Sequence, residues 1–144
     1  MFKKILVATD GSDLSRRAVD TAVGLARSLG ASLVGVTAVD AYPYSGVGQI
    51  EPAAYSEFQA RAGAEAAGRL AMLESAARAA GIPCECLSRQ SAPPWRVILD
   101  TAAENGCDAI VMASHGRRGV GALLLGSETQ HVLAYSTLPV IVVR

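Results

Sequence analysis

The chain has 144 residues, enough for one domain that buries most of the surface its unfolded form exposes, and we expect no second domain. Thirteen Lys and Arg residues balance thirteen Asp and Glu residues, so no basic field is present to attract nucleic acid or an anionic membrane. The first apolar run is too short for a signal peptide, and no run approaches the roughly 20 residues that cross a bilayer, so we expect a cytoplasmic location.

Apolar runs of strand length alternate along the chain with segments of helical spacing. The strand-like runs are residues 5–9, 32–39, 84–88, 109–113 and 140–143. The helix-like segments are residues 12–29, 54–80, 94–105 and 127–135. Crossovers of this length suit parallel strands, so the order reads βαβαβαβαβ.

The first helix has the clearest pattern. Ser12 stands where an N-cap is expected, and Gly30 stands where the helix should end. Its apolar residues recur at spacings of three or four, at Leu14, Ala18, Ala22, Leu25 and Leu29. Residues 41–52, before the second helix, lack periodicity and are predicted to form a long loop.

Three cysteines follow in the second half of the chain. Cys84 and Cys86 would share one face of the third strand, but two thiols without a further Cys or a nearby His cannot complete a tetrahedral metal site. Cys107 precedes the fourth strand and is expected to be a small core residue. We therefore expect structural roles for all three.

The first, second and fourth strands are almost uninterrupted apolar runs, as burial on both faces of a sheet requires. We predict a three-layer α/β/α fold of the Rossmann-like kind, with a five-stranded parallel sheet in the order 3-2-1-4-5. In that order a crevice opens between the carboxyl ends of strands one and four. A ligand site is expected there.

Two segments should meet at the crevice, residues 8–12 and the glycine-rich residues 113–121. The second leads to Gly126 and Ser127 at the start of a helix, where glycines, free amides and a hydroxyl favour phosphate. The alternative is that Ser127 and Gln130 form only a capping box and that Asp10 is only a turn residue.

Other chemistries fit the sequence poorly. A Walker loop needs a Lys that residues 121–127 lack, and the glycines after strand four do not match the dinucleotide fingerprint. His115 and His131 lack partners at catalytic spacing, so loop and helix-surface roles are expected. Trp95 is predicted to open the third helix and to pack against the sheet.

The loop resembles a nucleotide-binding motif of the universal stress proteins, Gly, two residues, Gly, nine residues, Gly and Ser or Thr. Here Ala113 takes the first position, Gly116 the second, and Gly126 with Ser127 end the motif. The likeness covers essentially the whole chain, including residues 4–12, 107–112 and 138–143.

This resemblance implies that ATP, with or without Mg²⁺, binds at the crevice, with Asp10 against the nucleotide and the backbone of Ala38 supporting adenine. The implied nucleotide-binding residues are Ala8, Thr9, Asp10, Ala38, Val39, Met112, Ala113, His115, Gly116, Arg117, Gly119, Gly126, Ser127 and Glu128. Two of them depart from an ideal site. The Ala113 methyl is expected to face the crevice, and the Glu128 carboxylate to lie near the phosphates.

Three functions stay open at this point. The first is an ATP-dependent stress-response module without efficient chemistry, acting on unknown regulatory protein partners. The second is a slow ATP hydrolase or phosphate-transfer protein with Ser127 as acceptor, and the third is an interaction module that binds no nucleotide. The resemblance also implies a homodimer, and Val140 to Val143, an apolar edge strand, is the expected interface.

Overall fold

The computed structural model describes residues 1–90, 92–116 and 124–144, which form nine elements of alternating type. They are β1 (Lys4–Ala8), α1 (Asp13–Leu29), β2 (Ser32–Ala38), α2 (Pro52–Ala79), β3 (Cys84–Arg89), α3 (Pro94–Glu104), β4 (Ala109–Ala113), α4 (Ser127–Tyr135) and β5 (Val140–Val143). The predicted elements are confirmed, with ends that differ by at most two residues.

The five strands form one parallel sheet in the order β3-β2-β1-β4-β5, so the predicted α/β fold and strand order are confirmed. The central strand β1 pairs with β2 on one side and with β4 on the other. Its residues Ile5, Leu6 and Val7 are fully buried, because helices cover both faces of the sheet.

Each face of the sheet has its own hydrophobic cluster. Alternate residues of β1 and β4 contribute Ile5 and Val111 to the cluster beneath α1 and α2. The intervening residues contribute Leu6 and Ile110 to the cluster beneath α3 and α4. The chain therefore leaves β1 towards one face and β4 towards the other, which opens the crevice between their carboxyl ends.

The helix ends show why α1 and α2 begin where they do. The Ser12 hydroxyl accepts a hydrogen bond from Ser15 N, and Gly30 ends α1 with a φ of 66°, a left-handed conformation that favours glycine. Pro52 opens α2 two residues before the predicted start, since proline suits the first helical turn.

Among the helices of the described residues, none combines the length and hydrophobicity that a bilayer crossing needs.

Candidate functional site

The turn after β1 forms one wall of the crevice and is held by its own side chains. Thr9 Oγ1 lies 3.1 Å from Ser15 Oγ and accepts a hydrogen bond from Gly11 N. Asp10 Oδ1 accepts from Ser12 N at 2.9 Å, so the predicted turn role of Asp10 is present. This hydrogen bond fixes the carboxylate at the mouth of the crevice.

The segment after β4 forms the opposite wall. Ser114 N donates to Val143 O and Gly126 N donates to Ser114 O, each at 2.8 Å. Thr129 Oγ1, fully buried in α4, donates to Ala113 O at 3.0 Å. The start of α4 is therefore fastened to the carboxyl end of β4.

Two glycines line this wall where a side chain would collide. A Cβ at Gly116 would lie only 2.6 Å from Asp10 Oδ2, so the Asp10 carboxylate rests directly on the Gly116 backbone. A Cβ at Gly126 would lie 3.1 Å from His115 Cα. The structure thus brings Asp10 and Gly116 together across the crevice, with Ser127 following Gly126 at the first turn of α4.

A cavity of about 340 Å³ opens at the carboxyl end of β2. Its walls are Ala38, Val39, Asp40, Ala41, Ala92, Pro93 and Pro94. Ala38 and Val39 were predicted from the sequence, but Pro93 and Pro94 at the start of α3 were not, although α3 begins at the same edge of the sheet as the crevice. That shared edge was the signal that could have found them.

The end of β2 is held by neighbouring elements. Val39 N donates to Arg89 O at 2.9 Å, in continuation of the β2–β3 ladder. Arg69 Nη1 from α2 donates to Ala38 O, also at 2.9 Å, and Arg69 forms an ion pair with Glu65. Arg69 could not be predicted from the sequence, because its contact with β2 depends on how α2 packs across the sheet.

The expectation that the Ala113 methyl faces the crevice is wrong. Ala113 is 8 % exposed and belongs to the hydrophobic cluster beneath α1, together with Val111. Alternation along β4 turns both side chains to that face. The methyl group is therefore core packing.

The Glu128 carboxylate is directed to another helix. Its Oε2 accepts a hydrogen bond from Trp95 N at 2.7 Å, at the first turn of α3. Since the side chain of Pro93, the N-cap residue of α3, caps no amide, Glu128 satisfies one of the free amides there. This hydrogen bond turns the Glu128 carboxylate towards α3.

The capping-box alternative for Ser127 and Gln130 is wrong. Gly126 is the N-cap of α4, and a glycine has no side chain with which to cap an amide. The Gln130 amide donates instead to Leu125 O at 2.7 Å. Ser127 is left exposed on the first turn of the helix.

The other predicted site residues lie in different parts of the structure. Ala8 and Met112 pack in the cluster beneath α3 and α4, directly under the crevice. His115 Nδ1 lies 3.3 Å from Ser114 Oγ. Arg117 and Gly119 lie outside the described residues.

Trp95 and His131 take the surface and packing roles expected of them. Trp95 packs against the cluster beneath α3, and its ring stacks on His131 at 5.4 Å and on Tyr135 at 5.2 Å between centroids. His131 Nδ1 lies 2.7 Å from Ser127 O. The His131 side chain is exposed on α4, as predicted.

The arrangement can bind an anion but offers little for metal chemistry. Within residues 1–90, 92–116 and 124–144, no group of three or more His, Cys, Asp or Glu residues could hold a metal ion. At positions 116 and 126 an added Cβ would collide with Asp10 and His115, so the two walls can approach closely there, and the start of α4 adds free amides and partial positive charge.

Known proteins resemble the chain over its full length. The model of the Universal stress protein family matches residues 1–144. The "Universal stress protein in QAH/OAS sulfhydrylase 3'region" of Thermus aquaticus is 37 % identical, with all of both chains covered.

Solved structures agree with these sequence relatives. The structure of MJ0577 from Methanocaldococcus jannaschii superimposes with a TM-score of 0.84 at 25 % identity, over 99 % of this chain and 96 % of that one. A solved universal stress protein in complex with cAMP superimposes with a TM-score of 0.72 at 29 % identity, over 99 % of this chain and 97 % of that one. The chain belongs to the universal stress protein family.

Proposed function

We propose that this chain binds an adenine nucleotide, ATP in particular, in the crevice between β1 and β4. The observation that carries the proposal is the contact of the Asp10 carboxylate with the Gly116 backbone, where a Cβ would lie 2.6 Å from Oδ2. This contact joins the two segments at the place where open α/β sheets bind ligands. The cAMP complex of a relative 29 % identical supports the adenine part of the proposal.

The crevice supplies a partner for each part of the ligand. Adenine occupies the cavity of about 340 Å³ at Ala38 and Val39, and Asp10 accepts hydrogen bonds from the ribose hydroxyls. The phosphates lie at Gly126 and Ser127, where the free amides of α4 favour negative charge. When ATP is carried with Mg²⁺, the cation offsets the charge of the phosphates beside Asp10.

The role we propose is regulatory. A nucleotide bound where β1, β4 and α4 meet changes the surface that protein partners contact. The protein acts in the cytoplasm and catalyses no efficient reaction. Ala113 and Glu128 were the two residues that favoured the alternative function, an interaction module that binds no nucleotide. The Ala113 methyl packs beneath α1 and the Glu128 carboxylate accepts a hydrogen bond from Trp95 N, and both placements support the proposal of nucleotide binding.

Calorimetry tests this function directly. Purified protein is titrated with ATP, ADP and AMP, and mass spectrometry identifies any nucleotide carried through purification. We expect one ATP per chain, and heats indistinguishable from dilution for all three nucleotides would refute the proposal. Phosphate release in the same samples tests the hydrolase alternative, which steady turnover lost in Asp10→Ala would favour.

The second part of the proposal is a homodimer through β5. This strand pairs with β4 on one side and, among the described strands, with nothing on the other. All four of its residues, Val140–Val143, are only half-buried. An apolar strand at an open edge is stabilised when a second copy pairs with it.

A further inference from the structure

The strand β3, at the sheet edge opposite β5, carries a pair of thiols. Cys84 and Cys86 are two positions apart, so their side chains share a face of the sheet, and their Sγ atoms lie 3.9 Å apart. Both residues are partly exposed and pack against the cluster beneath α1 and α2. The two sulfurs are therefore already adjacent in the folded chain.

The neighbouring strand makes room for this pair. Gly35 of β2 lies opposite Cys86 in the parallel ladder, and a Cβ at Gly35 would lie 3.0 Å from Cys86 Sγ. That separation is tighter than ordinary van der Waals contact. The Leu73 side chain lies even nearer to that position, so the glycine leaves room for both Leu73 and the Cys86 sulfur.

A second, independent feature adjoins the thiols. A cavity of about 240 Å³ lies between α2 and β3, and Cys86, Glu74 and Ser88 are among the residues that line it. Two of these, Glu74 and Ser88, are exposed. The cavity gives an ion a route from solvent to the sulfur pair.

The two thiols also interact directly. The Cys86 thiol hydrogen-bonds to the Cys84 sulfur, and this contact lowers the pKa of Cys84. The same hydrogen bond and burial raise the pKa of Cys86.

We propose that Cys84 and Cys86 together bind a soft, low-coordinate cation of the Cu(I) class. Thiolates select Cu(I), whereas a structural zinc ion takes four ligands, and the described residues offer no group of three or more His, Cys, Asp and Glu. A cation midway between the sulfurs lies about 2 Å from each, half of 3.9 Å, and metal–thiolate bonds are about 2.3 Å long. A shift of about 1.2 Å off the line that joins the sulfurs gives both bonds that length.

The binding step is balanced without a redox partner. Two copper–sulfur bonds form, both thiol protons pass to solvent, and copper stays in the +1 state. The site is separate from the crevice, because β3 is an edge strand two positions from β1 in the sheet. Its occupancy therefore does not depend on the proposed nucleotide function.

Cys107 provides a matched control for thiol chemistry. It lies in the cluster on the opposite face of the sheet and is 6 % exposed. Burial raises the pKa of Cys107 to about 11, so its thiol stays protonated at neutral pH.

The test is a competition for Cu(I) under anaerobic, reducing conditions. The full chain is titrated against the coloured Cu(I) complex of bicinchoninate, with Cys84→Ser, Cys86→Ser and Cys107→Ser compared. We expect wild type and Cys107→Ser to withdraw one equivalent of copper, and both other variants to withdraw none. X-ray absorption of the copper-loaded protein should find two sulfur neighbours.

Circular dichroism of each variant checks that the serine substitutions leave the fold intact. The proposal is overturned if wild type withdraws no copper, or if folded Cys84→Ser or Cys86→Ser still withdraws a full equivalent. It is equally overturned if Cys107→Ser loses the copper, because the third thiol would then be the ligand.

Discussion

A substitution at Gly116 that adds a single methyl group is a direct test of the proposed binding site. In Gly116→Ala the added Cβ would meet Asp10 Oδ2, which lies 2.6 Å from that position. The carboxylate or the loop must then move, and both form the proposed ribose and phosphate subsites. We expect ATP affinity to fall at least tenfold, roughly 1.4 kcal/mol, as measured by calorimetry.

Gly24→Ala is the matched control for this substitution. Gly24 is an exposed residue inside α1, and apart from its chain neighbours and the nearby backbone of α1 no atom lies within 4 Å of the position a Cβ would take. Alanine should stabilise the helix by about 0.5–1 kcal/mol and leave ATP affinity unchanged. Equal affinity of Gly116→Ala and wild type would contradict the proposed site.

Ala113→Gly restores the glycine that the family motif carries at this position. Because the Ala113 methyl packs beneath α1, its removal opens no space in the crevice and leaves a gap in the core. We expect a loss of about 1 kcal/mol in the free energy of unfolding and no gain in ATP affinity. Urea denaturation and calorimetry measure the two quantities, and a gain in affinity would place the methyl at the ligand after all.

At the scale of elements, Glu128 joins α4 to α3. Its carboxylate accepts from Trp95 N, an amide that the proline-started helix cannot satisfy through its own N-cap. We expect Glu128→Ala to destabilise the protein by about 0.5–2 kcal/mol, as the loss of a cap does. Urea denaturation followed by circular dichroism measures the change.

Glu128→Gln is the control for this contact, because its amide oxygen can still accept the hydrogen bond. It should lose less stability than Glu128→Ala. ATP affinity should change little in either variant, since the carboxylate faces α3. A tenfold gain in affinity on loss of the charge would mean that Glu128 does oppose the phosphates.

The elements themselves could be predicted from sequence because the pattern that forms them is local. Residues 109–113 form an apolar run that two-sided burial requires, and Ser12 with Gly30 marks both ends of α1. The strand order followed from right-handed crossovers, which leave few alternatives. The meeting of Asp10 and Gly116 followed from that order.

Orientation within the site could not be predicted in the same way. Glu128 and Trp95 are 33 positions apart, and their contact depends on the angle between two helices that no spacing in the sequence encodes. The Ala113 methyl was assigned to the wrong face for a related reason. The motif identifies the residue beside the ligand, but alternation along β4 decides which way its side chain points.

The whole molecule has one further surface to explain, the open edge of β5. Pro139 O and Val143 O accept hydrogen bonds from Ile110 N and Ser114 N, so the backbone groups of the odd-numbered residues face β4. Those of Val140 and Val142 face the open side. A second copy would pair with these groups.

Val142→Pro removes an N–H from the open side while leaving the hydrogen bonds to β4 in place, and an edge strand tolerates proline at such a position. We expect the variant to be a folded monomer by light scattering and circular dichroism, whereas wild type and the β-branched control Val142→Thr stay dimeric. A monomeric wild type would contradict the dimer itself. A Val142→Pro variant that remains dimeric would place the interface on another surface, because an intact ladder across β5 needs the N–H that proline lacks.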